Sequence, residues 1–193
     1  MESKNNITLE YFANFIHYGI YRLKLADHYR ICKFYEMLAC KLFHKTISKD
    51  RIKRHHHYMC NYKDGWLVSI THHFFGFFWS AYAGCFSFIL LGILRKVGFA
   101  LEGNAFFIVG CIPLAIAYIP QYKYVFKDDR YINFFKKFDK KGAKWQRKCK
   151  WMALIFMACG IPATFLGLLI MDFIIKKLLV SAWKISMCHN VSA

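Results

Sequence analysis

The chain is short of acid, short of proline and without paired cysteines. Asp and Glu total 11 against 28 Lys and Arg, which leaves a formal charge of +17. No D-x-x-x-D pair, nucleophile elbow or glycine-rich phosphate loop is present, so the sequence offers no catalytic constellation of those kinds. Proline occurs three times in 193 residues. Residues 8–47 contain none, with Gly19 as their single glycine, so nothing there breaks a helix. The eight cysteines include no C-x-x-C pair. That spacing excludes a zinc ribbon and gives no sign of a disulfide framework. Cys85, Cys111 and Cys159 lie in apolar runs, where a thiol acts as a small hydrophobe. The opening MESKNNITLEYF has Glu2 and Glu10 and no small-residue cleavage site, so no signal peptide is expected. Neither end carries a lipidation pattern.

What the chain has instead is apolar bulk. Hydrophobic residues make up 57%, above the usual soluble range of about 45–50%. Such content coexists with +17 only if the two are segregated. Residues 66–94 contain no formal charge, nor do residues 151–171. A third run, residues 99–122, has Glu102 near its start, Pro113 inside it and Pro120 at its end. Each is long enough for a bilayer core, which takes about 20 apolar residues. The expected fold is therefore an all-α integral membrane protein. Basic amphipathic helices over 1–65 precede three spans at about 66–94, 99–122 and 151–175, joined by a basic loop at 121–150 and ending in a short tail at 176–193. The few residues between the first two spans imply a hairpin.

Charge sets the expected orientation. Residues 1–65 hold 12 Lys and Arg, and residues 121–150 hold 11. Three spans place both segments on one side, and the positive-inside rule makes that side cytoplasmic. The expected location is a bacterial inner membrane, with anionic lipids of the inner leaflet as partners.

Within residues 8–47, Leu9, Phe12, Ile16, Ile20 and Leu23 form one helical stripe, with Thr8 as a candidate N-cap. Ile31, Phe34, Leu38 and Leu42 form a second stripe beyond Asp27. In the 121–150 segment, Asp128 or Asp129 is placed to start a short helix and Gly142 to end it. Its Lys136, Lys137, Lys140, Lys141, Lys144, Arg147 and Lys148 are candidates for lipid or nucleic-acid contact, set against the plain reading of a topogenic loop.

His55, His56, His57 and Cys60 are candidate ligands for zinc or copper. Adjacent helical residues point about 100° apart, so consecutive histidines cannot all reach one ion; the alternative is a basic anchor continuing RIKR. His72 and His73 sit inside the first span, where an imidazole marks a contact or a function by default. Haem iron would need a second axial nitrogen from the N-terminal helix or another subunit, because the other spans have no histidine. With Glu102, Asn104, Thr164 and Asp172, the pair supplies the available polar lining for an oligomeric pore. Gly160, Ala163, Thr164 and Gly167 form a small-residue patch suited to helix packing.

The expected role is a non-enzymatic accessory or scaffold protein, or an oligomeric pore component, that self-associates or binds a larger partner, with no cofactor. A metal- or haem-dependent membrane enzyme is the competing class. Arg51 and His56 have an R-x4-H spacing, and Arg22 and His28 an R-x5-H spacing, as in HEPN ribonuclease motifs. In size and layout the chain resembles the small membrane proteins that accompany some RNA-targeting bacterial defence nucleases, which implies an accessory role beside a nucleic-acid-targeting system.

Overall fold

The computed structural model describes residues 2–43, 49–99 and 103–190, with side chains over 9–42, 50–99 and 103–177. Glu102 lies outside the described residues. Among those described, every regular element is helical. They are α1 (Glu2–Phe43), α2 (Lys49–Cys60), α3 (Trp66–Lys96), α4 (Asn104–Gln121), α5 (Arg130–Asp139) and α6 (Ala143–Asn190). Three helical stretches are long and apolar enough to cross a membrane: Trp66–Lys96, Asn104–Asp139 and Ala143–Lys177.

Several boundaries differ from the periodicity. α1 begins at Glu2, so Thr8 lies within the helix and caps nothing; with no proline upstream, the backbone ladder runs on for more than a turn. The second apolar helix begins at Asn104 rather than at residue 99, after positive-φ glycines at Gly98 and Gly103. The 121–150 segment is no open loop. A π-helical turn (Tyr122–Phe126) and a 3-10 turn (Lys127–Asp129) lead into α5, and α6 starts at Ala143. Asp129 stands at the N-cap of α5, and the chain reverses through residues 140–142. Asp128 and Asp129 both have left-handed backbones (φ 56° and 52°), a conformation that Asp tolerates better than most residues.

The chain divides into two compact units. One comprises Met1–Phe77 with Pro120–Met157, the other Phe78–Ile119 with Ala158–Ala193. In the first unit, residues 13–21 of α1 are buried on every side, not along one stripe. Leu9 and Phe12, at the start of the expected stripe, remain exposed, as do Ile31, Phe34 and Leu42 of the second stripe. α5 explains the burial. Tyr131, Phe135 and Phe138 fall on one face of RYINFFKKFD and pack on α1, leaving Lys136 and Lys137 outside. Phe135 meets Tyr18 and Tyr21 at ring-centroid distances of 5.3 and 5.0 Å, and Phe138 meets Trp145 at 4.8 Å. On its other side α1 touches α6 backbone to backbone. A Cβ on Gly19 would stand 2.4 Å from the Cys149 carbonyl oxygen, so only glycine fits.

In the second unit, the C-terminal part of α3 packs on α6 through small residues. A Cβ on Gly167 would lie 2.7 Å from the Cys85 carbonyl oxygen, and Gly160 abuts Phe78. The Thr164 hydroxyl donates to the Ala81 carbonyl at 2.9 Å, and Trp79 Nε1 donates to the Ala117 carbonyl at 3.0 Å. Large apolar side chains of this unit, among them Phe86, Phe107, Ile108, Phe165 and Leu169, face outward.

Candidate functional site

Three polar constellations lie in the first unit. The deepest joins α1 to α3. His17 is fully buried, and its Nε2 lies 2.9 Å from His72 Nδ1. The rings stack at 4.9 Å and 15°, with Phe75, Phe126, Tyr131 and Phe135 around His17. Two imidazoles bonded nitrogen to nitrogen share one proton, one ring donating and the other accepting. Burial first, and the neighbouring His72 second, hold His17 well below the ordinary imidazole range. His17 is therefore held neutral, and the contact pins α1 to α3. His17 Nδ1 has no hydrogen-bond partner among the described residues. Stacked rings in direct contact leave no room for a macrocycle, so the pair does not fit haem iron held between two axial imidazoles.

The second constellation centres on Asp139 at the end of α5. Tyr18 donates to Oδ1 at 2.6 Å, Tyr62 donates to Oδ2, and Arg22 Nη1 lies 3.5 Å from Oδ1. Tyr131 OH donates to the Tyr62 carbonyl, and Tyr21 OH to the Cys60 carbonyl. Burial, then the hydrogen bond to Asp139, push the Tyr18 and Tyr62 phenols upward, which keeps them protonated as donors. This hub ties α1, the turn after α2 and α5 together. Arg22 is spent here, apart from the R-x5-H pairing that its spacing suggested.

The third lies between α1 and α2. His28, Cys32 and Glu36 are spaced four residues apart on one face of α1. On α2, His56 and Cys60 have the same four-residue offset. His28 Nε2 and Cys32 Sγ are 3.6 Å apart, as are His56 Nε2 and Cys60 Sγ. The His28 ring sits 5.6 Å from that of His55 and 6.1 Å from that of His56. One ligand atom from each of His28, Cys32 and His55 lies within 4.8 Å of the others. His28 is buried, Cys32 half-buried and His55 exposed. Burial, then His55 and His56, lower the His28 imidazole, and burial followed by Glu36 raises the Cys32 thiol.

The structure thus divides the histidine run. His55 joins His28 and Cys32, His56 turns to Cys60 and Tyr29, and His57 lines a separate depression with Lys53, Arg54, Tyr58, Asn61 and Asp64. The signal that would have found His28 and Cys32 is the H-x-x-x-C spacing, present at His28/Cys32 and again at His56/Cys60. No comparable signal marks Asp139, whose partner Tyr18 is 121 positions away.

The other predicted residues each have local surroundings. His73 is exposed and bonds the Ser69 carbonyl through Nδ1, Asn104 is exposed at the start of α4, and Asp172 pairs with Lys176 at 2.7 Å. Gly160, Thr164 and Gly167 meet α3 within the second unit, and Ala163 is half-buried beside them. Of the basic candidates, Lys136, Lys137, Lys140, Lys144, Arg147 and Lys148 are exposed, while Lys141 folds over the Trp145 ring at 4.4 Å.

Compared with known proteins, the chain matches no family model, no curated protein and no solved structure.

Proposed function

We propose that this chain is an integral membrane protein with a non-enzymatic accessory or scaffold role, anchored by three spans and presenting a basic helical head. The observation that carries this is the outward placement of its apolar surface. In the most apolar window of each long stretch, only 28%, 6% and 11% of residues are buried. A surface of that kind in water would associate without limit, whereas lipid tails cover it at no cost. The head has the opposite composition. Its exposed Lys136, Lys137, Lys140, Lys144, Arg147 and Lys148 suit an anionic inner leaflet.

The accessory role is favoured over the pore because polar candidates are engaged in local bonds. Thr164 and His73 bond backbone carbonyls, His72 bonds His17, and Asp172 bonds Lys176. Expression in a bacterium, followed by alkaline carbonate extraction of membranes, tests the anchor. The chain is expected in the pellet; release into the supernatant would overturn the reading. Labelling of single cysteines from outside the cell tests the orientation, with the 121–150 segment expected to be protected. Purified protein reconstituted in vesicles is expected to leave a trapped dye in place, and leakage would restore the pore.

A further inference from the structure

We propose that His28, Cys32 and His55 form a binding site for one divalent transition-metal ion of the zinc class, bridging α1 and α2. The site needs no membrane and does not rest on the reading above.

The chemistry of the donors comes first. One thiolate and two imidazoles are a borderline-soft set, which selects zinc-like ions over magnesium or calcium. The geometry agrees. Sulfur at about 2.3 Å and nitrogen at about 2.0 Å from a tetrahedral zinc stand about 3.5 Å apart. His28 Nε2 and Cys32 Sγ are 3.6 Å apart, and the third donor completes a set spanning no more than 4.8 Å. A four-residue offset on a helix is what turns two side chains toward one point. Here that offset supplies two ligands, and the neighbouring helix supplies the third.

The structure also offers access and a fourth position. A depression between the helices is lined by Cys32, Tyr35, Glu36, Arg51, Ile52 and His55. It opens the site to solvent and brings Glu36, one turn beyond Cys32, to its rim. The Glu36 carboxylate or a water would complete four-coordination. Arg51, on the same rim, opposes a cation; the Cys32 thiolate and Glu36 offset it. On binding, Cys32 gives up its proton to solvent, so one metal ion adds a net single positive charge.

The structural need is equally specific. α2 reads KDRIKRHHHYMC; of its apolar residues, Ile52, Met59 and Cys60 are only half-buried and Tyr58 is exposed. Its ring contacts with α1 are made by His55 and His56, against His28 and Tyr29. An ion held from both helices would fix α2 where hydrophobic burial cannot.

The test is cobalt(II) titration of full-length, tag-free protein in detergent micelles, kept reduced with a phosphine. The expected result is saturation at one cobalt per chain, with a thiolate-to-cobalt charge-transfer band and visible bands of four-coordinate cobalt. Cys32→Ser is expected to abolish the charge-transfer band. His55→Gln, at an exposed position, is expected to weaken binding by more than the roughly tenfold that loss of an outer-shell partner costs, because it removes a direct ligand. His57→Gln is expected to change neither. Absence of saturable binding would overturn the proposal. So would a charge-transfer band that survives Cys32→Ser, or an equal loss in His55→Gln and His57→Gln, which would mean that the histidine run binds metal without Cys32 and His28.

Discussion

The two units bury their helices by different means. The first packs α1 inside a shell of aromatic rings and joins it through buried polar links: His17 to His72, and Tyr18, Tyr62 and Arg22 to Asp139. The second brings α3 and α6 together at Gly160, Thr164 and Gly167, and leaves its large apolar side chains outward. The first pattern is that of a core held by exclusion of water, where most buried polar groups are paired and His17 Nδ1 is an exception. The second is the pattern that the proposed membrane anchor calls for, in which close backbone approach and dispersion replace the hydrophobic drive.

The comparison can be broken most strongly at Gly19. Gly19→Ala places a methyl group 2.4 Å from the Cys149 carbonyl oxygen and 2.8 Å from the Ala153 methyl, against backbone on one side. Overpacking costs about 1–3 kcal/mol where side chains can yield, and here the larger figure applies. A sharp fall in the thermal midpoint of helix loss in micelles is expected.

Asp139→Ala comes next. It leaves two phenols and a guanidinium without their shared acceptor, at a cost on the order of 3 kcal/mol. Asp139→Asn keeps an acceptor oxygen and should lose markedly less. If both variants unfold at the wild-type midpoint, the hub contributes nothing to the first unit.

Gly167→Ala tests the second unit, where a Cβ would stand 2.7 Å from the Cys85 carbonyl oxygen. Separation of α3 from α6 is expected, at about 1–2 kcal/mol. It reads out as weaker cross-linking between cysteines engineered at facing positions of the two helices, with the first unit's near-ultraviolet aromatic signal unchanged.

The smallest effect is one of pH. His17 is held below the ordinary imidazole value by burial and by His72, so the unfolded chain takes up a proton there before the folded one does. The contribution is complete above the ordinary imidazole pKa and declines as pH falls below it, by about 1.4 kcal/mol per pH unit for one group. Stability measured from neutral to mildly acidic pH should fall, and the slope should shrink by that one-proton amount in His17→Gln. An unchanged slope would place the titration elsewhere.

How far the sequence reaches is plain from particular residues. Long proline-free runs and uncharged apolar stretches set α1, α3 and α6, because helix formation and hydropathy are local properties. The start of α5 just after Asp129 was legible in position, although the Asp129 side chain makes no capping hydrogen bond. The burial of residues 13–21 was not. A helix surrounded by neighbours has no stripe that distinguishes it from a half-exposed one, and Leu9 and Phe12 continue the same period into solvent. The histidine run was conspicuous, but adjacency in sequence is the wrong measure for ligands on a helix. His55, His56 and His57 point about 100° apart and go to different neighbours.

By itself, then, the sequence determined that this is a helical chain with three stretches apolar enough for a bilayer and a strong excess of positive charge between them. Spacing, hydropathy and charge count are all readable within a few turns. Only the tertiary structure decided that His17 meets His72, that Asp139 receives Tyr18 and Tyr62, and that His55 stands beside His28 and Cys32. Those partners are 23 to 121 positions apart. They are brought together by which helix faces pack, and no local period records that choice.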